Sequence, residues 1–197
     1  ADASGHGVGA ALMSGMMKLN VERFKYVLEH GAENDGFNDD VLGKFLHQIN
    51  RAMYEVLVGG RFVSFLLLVI DEANHQIIIG NAGHNPPMMW KGKDRHAEEL
   101  DISANIVLGV IPDMEFQTKR ISFAAGDRIM IYTDGISERM NPAEKEWGIH
   151  NLLHTFRVYA HSVPSAISRQ IMLESKTFSG GREAEDDQAL LIMEFMK

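Results

Sequence analysis

The spacing of the apolar residues changes once along the chain, and this change constrains the fold more than any other feature. Up to about residue 57 the apolar residues recur at steps of three and four, the period of an α-helix, which predicts helices over 8–29 and from 38 or 39 to 57. After Gly59-Gly60 the sequence turns to short runs rich in β-branched and aromatic residues, bounded by Gly, Pro, Asn and Asp. These runs predict strands at 62–70, 76–81, 87–90, 116–123, 128–132 and 190–195.

Two further helical patterns, over 148–159 and 165–177, interrupt the strand-rich part, and polar stretches at 91–105 and 179–186 are predicted to be loops. Because strands cluster with strands and helices with helices, the pattern indicates an α+β fold rather than alternating βαβ units. The 197 residues contain no linker, so we predict a single domain over 1–197.

Composition excludes several classes of protein. The chain has no cysteine, which rules out disulfides, thiolate zinc sites and a Cys nucleophile. Its net charge of −8, without a basic stripe, argues against nucleic-acid binding. No apolar run approaches the roughly 18 residues needed to span a bilayer, so we expect no membrane insertion and a cytoplasmic location. The start, Ala1-Asp2-Ala3, lacks Met, and we expect the sequence to be an N-terminally incomplete piece of a longer polypeptide.

Three short segments place carboxylates at turns, around Asp2, Asp134 and Asp186. Asp134 stands at the end of the predicted strand 128–132, with only Thr133 between them, where the backbone is well fixed. Carboxylate oxygens without any thiolate favour Mg²⁺ or Mn²⁺ over structural zinc. The alternative is that each segment simply forms a turn, because Asp and Gly are favoured in turns for local reasons.

Histidines and methionines give weaker indications. His6 and His84 lie in Gly-rich segments and could act as ligands or acids, although a lone histidine more often makes a hydrogen bond that stabilises a turn. Three methionines at helical spacing predict core packing, with a partner-facing surface as the alternative. They are Met13, Met16 and Met17.

Six segments carry a family resemblance. They read DASGHGVGAALM at 2–13, RFVSFLLLVID at 61–71, NAGHNPP at 81–87, LGV at 108–110, GDRIMIYTDGISE at 126–138 and DDQA at 186–189. In this order they resemble the PPM family of metal-dependent serine/threonine phosphatases (protein phosphatase 2C), in particular the bacterial branch related to the sporulation phosphatase SpoIIE. The resemblance covers essentially the whole chain and implies a two-sheet β-sandwich flanked by helices, in α-β-β-α layers.

The resemblance also implies a dinuclear Mn²⁺ or Mg²⁺ site. In it Asp2 bridges the two metals, the backbone carbonyl of Ala3 adds a ligand, and Asp134 and Asp186 hold one metal. Catalysis then runs through a metal-activated water that attacks the phosphoryl group, without a protein nucleophile.

Three residues are expected around these ligands: Asp187, Gly135 and His6. For Asp187 the alternative is that it takes the place of Asp186 as a ligand. The sequence also departs from the family. An upstream Gly-Gly-Asp segment supplies one more ligand in the family, and nothing before Ala1 provides it here, so the opening strands of one sheet are expected to be missing. Ser64 and Ala189 stand where Thr is commoner.

The function implied is hydrolysis of phosphoserine or phosphothreonine on a partner protein in bacterial signalling. Within this branch the expected substrate is a phosphorylated anti-sigma-factor antagonist, and the expected upstream partner is a sensor or receiver domain. A homodimer is left open. Two alternatives also stay open: a catalytically degenerate phosphatase fold that binds a partner, and a metal-dependent hydrolase of small phosphate esters.

Overall fold

A computed structural model describes residues 1–4, 8–30, 39–57, 61–102 and 106–196. Its elements are, in chain order, β1 (Asp2–Ala3), α1 (Val8–His30), α2 (Asp39–Val56), β2 (Val63–Asp71), β3 (Gln76–Ala82), β4 (Met88–Lys91), β5 (His96–Glu99), β6 (Thr118–Ser122), β7 (Arg128–Tyr132), α3 (Asp134–Ser137), α4 (Gly148–Tyr159), α5 (Pro164–Phe178) and β8 (Leu190–Glu194). The chain divides into two compact units, each built on one antiparallel sheet with its own helices.

The first unit, Ala1–His84 with Ile102–Ser122, contains the sheet β1-β2-β3-β6 and the helices α1 and α2. Helix α2 packs closely on this sheet, since a Cβ on Gly80 of β3 would lie 2.6 Å from a methyl carbon of Leu46. Phe24 of α1 stacks on Phe45 of α2 with ring centroids 3.9 Å apart. These contacts give the first unit an apolar core of its own.

The second unit runs from Asn85 to Asp101 and from Phe123 onwards, and contains the sheet β5-β4-β7-β8 with α3, α4 and α5. Trp90 of β4 and Met130 of β7 are buried with Phe156 of α4 and Ile171 of α5 in a second core. The register of the two last strands is Arg128↔Glu194 to Tyr132↔Leu190. Strand β7 is therefore central: β4 pairs with its residues 128–130, and β8 continues the pairing to its end at Tyr132.

The predicted helices and strands are confirmed within two residues at most ends, and two antiparallel sheets with helices confirm the α+β class. The prediction of a loop across 91–105 is wrong in part, because β5 lies within it. Only Ala97 among its four side chains is buried, so this edge strand has no alternating apolar pattern to reveal it. The single-domain prediction stays a prediction.

The burial of individual side chains decides between the alternatives for the methionines and for His84. Met13 and Met17 are buried in the first core, which confirms that they are packing residues. His84 is also buried; its Nδ1 lies 2.9 Å from Ser64 Oγ, and its backbone N–H donates to Asn81 Oδ1 at 2.8 Å. This is the turn-stabilising role. Among the described residues, no helix is long and apolar enough to cross a bilayer.

Candidate metal centre

Asp134 lies where the central strand of the second sheet ends and a one-turn helix begins. Strand β7 ends at Tyr132, and α3 starts at Asp134 itself. The carboxylate is half-buried, and its Oδ1 accepts a hydrogen bond of 2.9 Å from the backbone N–H of Gly135. The backbone carbonyl of Asp134 accepts from Glu138 N–H at 2.8 Å. The side chain and the backbone carbonyl of Asp134 are thus both held by hydrogen bonds.

The segment that carries Asp186 and Asp187 continues the pairing of β7 with β8. Thr133 makes three hydrogen bonds to it: its Oγ1 donates to Asp187 O at 2.9 Å and accepts from Ala189 N–H at 2.8 Å, and its N–H donates to Ala189 O at 3.1 Å. Asp186 repeats the arrangement of Asp134, since its Oδ1 accepts from the next backbone N–H at 2.7 Å. Thr133 therefore ties the two acidic segments together.

Gly135 allows these segments to approach closely. A Cβ at this position would lie 2.5 Å from the carbonyl oxygen of Asp187 and 3.1 Å from that of Asp186. A side chain here would push the two segments apart. With glycine at position 135, a carboxylate oxygen of Asp134 lies within 4.8 Å of one of Asp186.

The donor set fits a hard divalent cation. Oxygen ligands on opposite sides of one Mg²⁺ lie about 4.2 Å apart at the usual metal–oxygen distance of about 2.1 Å, so a small shift would let Asp134 and Asp186 share an ion. Asp186 is exposed and Asp134 is half-buried, which leaves room for water among the ligands. The two residues can hold Mg²⁺ or Mn²⁺.

Negative charge accumulates around this pair. Glu138, four residues after Asp134, has its pKa raised above the ordinary value of 4.5, first by partial burial and then by the like charges of Asp134, Glu146 and Asp186. A region that disfavours one more negative charge favours a cation. The electrostatics therefore agree with the donor set.

Asp2 and Ala3 lie in the first unit, on the short strand β1. Asp2 pairs with Ser64 and Ala3 with Val63 of β2. Beyond them, Ser4 N–H donates to Phe62 O at 3.0 Å and Ser4 Oγ accepts from Phe62 N–H at 2.9 Å, which fixes the end of β1. The half-buried Asp2 is thus held by sheet pairing, whereas Asp134 is held by hydrogen bonds at the start of α3.

The structure brings Asp134, Asp186, Asp187 and Gly135 together in the second unit, while His6 lies outside the described residues. Sequence reasoning missed four residues of this neighbourhood: Thr133, Glu138, Arg139 and Gln188. Thr133, Glu138 and Gln188 lie inside the segments that carry the family resemblance. Their closeness along the chain to Asp134 or Asp186 could have indicated that they belong to the site. Arg139 had no such indication, because its contacts are with residues more than 40 positions away.

A family model described as Stage II sporulation protein E (SpoIIE) matches residues 1–196. The chain belongs to the SpoIIE family. Two curated relatives of this SpoIIE-family chain come from Bacillus subtilis (strain 168). Phosphoserine phosphatase RsbP is 28% identical over 137 residues, covering 70% of this chain and 32% of RsbP. Phosphoserine phosphatase RsbU is 24% identical over 138 residues, covering 70% of this chain and 38% of RsbU.

The fold of the SpoIIE-family chain is also that of a solved structure. The SiaA-PP2C domain of Pseudomonas aeruginosa matches with a TM-score of 0.74 at 20% identity, over 98% of this chain and 73% of that one. The similarity shows the PP2C-type phosphatase fold. The matched region spans about a third of the length of the two curated relatives.

Proposed function

We propose that this SpoIIE-family chain is a metal-dependent phosphatase that hydrolyses phosphoserine or phosphothreonine on a partner protein. The observation that carries the proposal is the approach of the Asp134 and Asp186 carboxylate oxygens to within 4.8 Å, at the end of a central strand. Membership of the SpoIIE family and two relatives named phosphoserine phosphatases support the same activity.

The proposed ligands of Mn²⁺ or Mg²⁺ are the carboxylates of Asp2, Asp134 and Asp186 and the backbone carbonyl of Ala3. Ions held by these residues would supply Lewis acidity, which would activate a water and offset the negative charge of the phosphoryl oxygens. Asp134 and Asp186 are supported as ligands by their approach, and Asp2 and Ala3 by the family resemblance and by the pairing that fixes β1.

The chain's own residues prepare this chemistry before any ion binds. Thr133 and Gly135 hold the two acidic segments close, and backbone N–H groups orient one oxygen of Asp134 and of Asp186. Such fixed ligands lose little freedom on binding a cation. The exposure of Asp186 lets a phosphorylated side chain on another protein reach the centre.

The proposed substrate is a phosphorylated anti-sigma-factor antagonist, and the proposed regulator is a sensor or receiver domain of the whole protein, in the cytoplasm. The family resemblance supports both. The coverage of about a third of RsbP and RsbU agrees with further domains in such relatives.

The test measures phosphate release from a phosphoserine peptide by the full chain, with and without Mn²⁺. We expect Mn²⁺-dependent release that Asp134→Asn lowers by more than about 100-fold, since residues that only orient metal ligands already cost about 10–100-fold. The matched control is Asp94→Asn, an exposed acid in the turn between β4 and β5, which should leave the rate unchanged.

Two results would contradict the proposal. Release that does not need a divalent cation, or that survives Asp134→Asn, would exclude the assigned centre. Absence of both turnover and Mn²⁺ binding would instead support a partner-binding module with a degenerate centre.

A further inference from the structure

Arg139 follows the one-turn helix α3 and contacts the segment that carries Asp186. Its guanidinium donates two hydrogen bonds to that segment, from Nη1 to Gln188 Oε1 at 3.1 Å and from Nη2 to the backbone carbonyl of Arg182 at 2.9 Å. The two acceptors are six residues apart. One side chain thus holds both ends of the stretch 182–188, within which the proposed ligand lies.

Gln188 also contacts the segment that carries Asp134. Its Nε2 donates to the backbone carbonyl of Gly135 at 2.7 Å while its Oε1 accepts from Arg139. Gln188, two positions after Asp186, is therefore hydrogen-bonded to Gly135, the residue directly after Asp134. Arg139 and Gln188 form a hydrogen-bonded brace across the candidate centre.

The carboxylates need such a brace because they repel each other. A carboxylate oxygen of Asp134 lies within 4.8 Å of one of Asp186, so two negative charges face each other at short range. Asp186 and Asp187 are exposed, and burial does not hold their segment in place. When no cation is bound, hydrogen bonds to fixed groups must hold this segment in place.

A guanidinium suits this task better than an ammonium group. It is planar, stays charged, and presents several N–H donors in a fixed fork, so it can hold two separate acceptors in one geometry. A lysine at this position has one flexible point of contact and could serve only one of the two acceptors well.

We infer that Arg139 and Gln188 are positioning residues that set the separation of the Asp134 and Asp186 carboxylates for cation binding. The inference rests on the proposed function, because it assigns both residues to the same centre. It predicts that the brace controls affinity for the cation as well as the stability of the fold.

The experiment titrates Mn²⁺ into the full chain by calorimetry and compares the wild type with Arg139→Met, Arg139→Lys and Gln188→Met. We expect Arg139→Met to raise the Kd for Mn²⁺ by about 10-fold or more, as substitutions of residues that orient metal ligands do. Arg139→Lys should fall between Arg139→Met and the wild type. Arg169→Met, an exposed arginine on α5, is the matched control and should keep the wild-type Kd.

Two further comparisons separate positioning from plain structural support. The double variant of Arg139→Met with Gln188→Met should bind Mn²⁺ about as weakly as either single variant, because both act through one chain of bonds. The rise in Tm on adding Mn²⁺ should also shrink in these variants. A purely structural role would lower the metal-free Tm and leave the Kd unchanged.

The outcomes distinguish this inference from the proposed function. If the wild type binds Mn²⁺ and the folded Arg139 and Gln188 variants bind it equally well, the inference is overturned and the proposed function stands. If the wild type binds no Mn²⁺, both are overturned. Should Arg139→Met fail to fold, Gln188→Met, which keeps the size of the side chain, gives the same decision.

Discussion

Gly135 is the residue at which the smallest change should have the largest effect on the centre. In Gly135→Ala the added methyl meets the backbone carbonyls of Asp187 and Asp186 at 2.5 and 3.1 Å, and neither carbonyl can move without the segment that carries it. We expect a loss of about 1–3 kcal/mol in the free energy of unfolding, typical of overpacking, together with weaker Mn²⁺ binding. Urea unfolding and calorimetric titration measure the two effects.

Gly15→Ala is the control for this substitution. Gly15 lies inside α1, and a Cβ there meets nothing within 4 Å. Alanine in a helix interior is favoured over glycine by about 0.5–1 kcal/mol, so this variant should be slightly more stable and bind Mn²⁺ normally. A Gly135→Ala protein that behaves like Gly15→Ala would show that the close approach at Gly135 does not matter.

At the scale of elements, the side-chain amide of Asn50 makes three of the hydrogen bonds that attach helix α2 to the segment before β6. Asn50 is buried; its Nδ2 donates to Ile111 O at 2.6 Å and Pro112 O at 3.1 Å, and its Oδ1 accepts from Gly109 N–H at 2.9 Å. In Asn50→Ala these backbone groups lose their partner, which costs about 1–3 kcal/mol. Urea unfolding should show this loss.

Gln48→Ala is the matched control, because Gln48 lies on the same helix but is exposed. Its effect should stay within about 0.5 kcal/mol. Equal stability of the two variants would mean that the segment 109–112 is held by its other contacts.

The predictability of the elements depends on how many side chains each one buries. Helices α1 and α2 span enough turns for the apolar period to appear, and both were predicted within one residue of their ends. Strand β5 buries one side chain, and α3 is a single turn, so neither contains a repeat that could be recognised. Strand β1, with two residues, exists through its pairing with β2.

At the scale of the whole molecule, the single-domain prediction can be tested with two spectroscopic probes. Trp90 and Trp147, the two tryptophans of the chain, are both buried in the core of the second unit. Most helical residues lie in the first unit, where α1 and α2 have 23 and 18 residues, against 12 and 15 in α4 and α5. Tryptophan fluorescence therefore reports on the second unit, whereas far-ultraviolet circular dichroism reports on both units and most strongly on the first.

We expect the two urea transitions to coincide, because one cooperative domain unfolds in an all-or-none manner. Separate midpoints for fluorescence and circular dichroism would instead show two units that unfold independently. The titration should be run without metal, so that a bound cation does not stabilise one state.

The site was predicted less completely than the fold, for a reason that concerns distance along the chain. Asp134 and Asp186 were selected by their position at turns and by the family resemblance, and the structure brings their carboxylates together. The side-chain contacts of Thr133, Arg139 and Gln188 join positions 43 to 56 apart, and no local pattern contains such pairings. The approach of Asp134 and Asp186 could be predicted, whereas the groups that hold them could not, and the role of the two acids as ligands stays a prediction.

The pairing of β7 with β8 also affects how far the chain between Asp134 and Asp186 can vary in length. Asp134 and Asp186 stand 52 positions apart, and the β-ladder has already closed the loop between them. Doubling the length of a flexible loop adds only about 0.6 kcal/mol to the entropic cost of closing it. Insertions in the connection between α4 and α5 therefore leave the two acids where the strands put them, so this connection is free to vary in length.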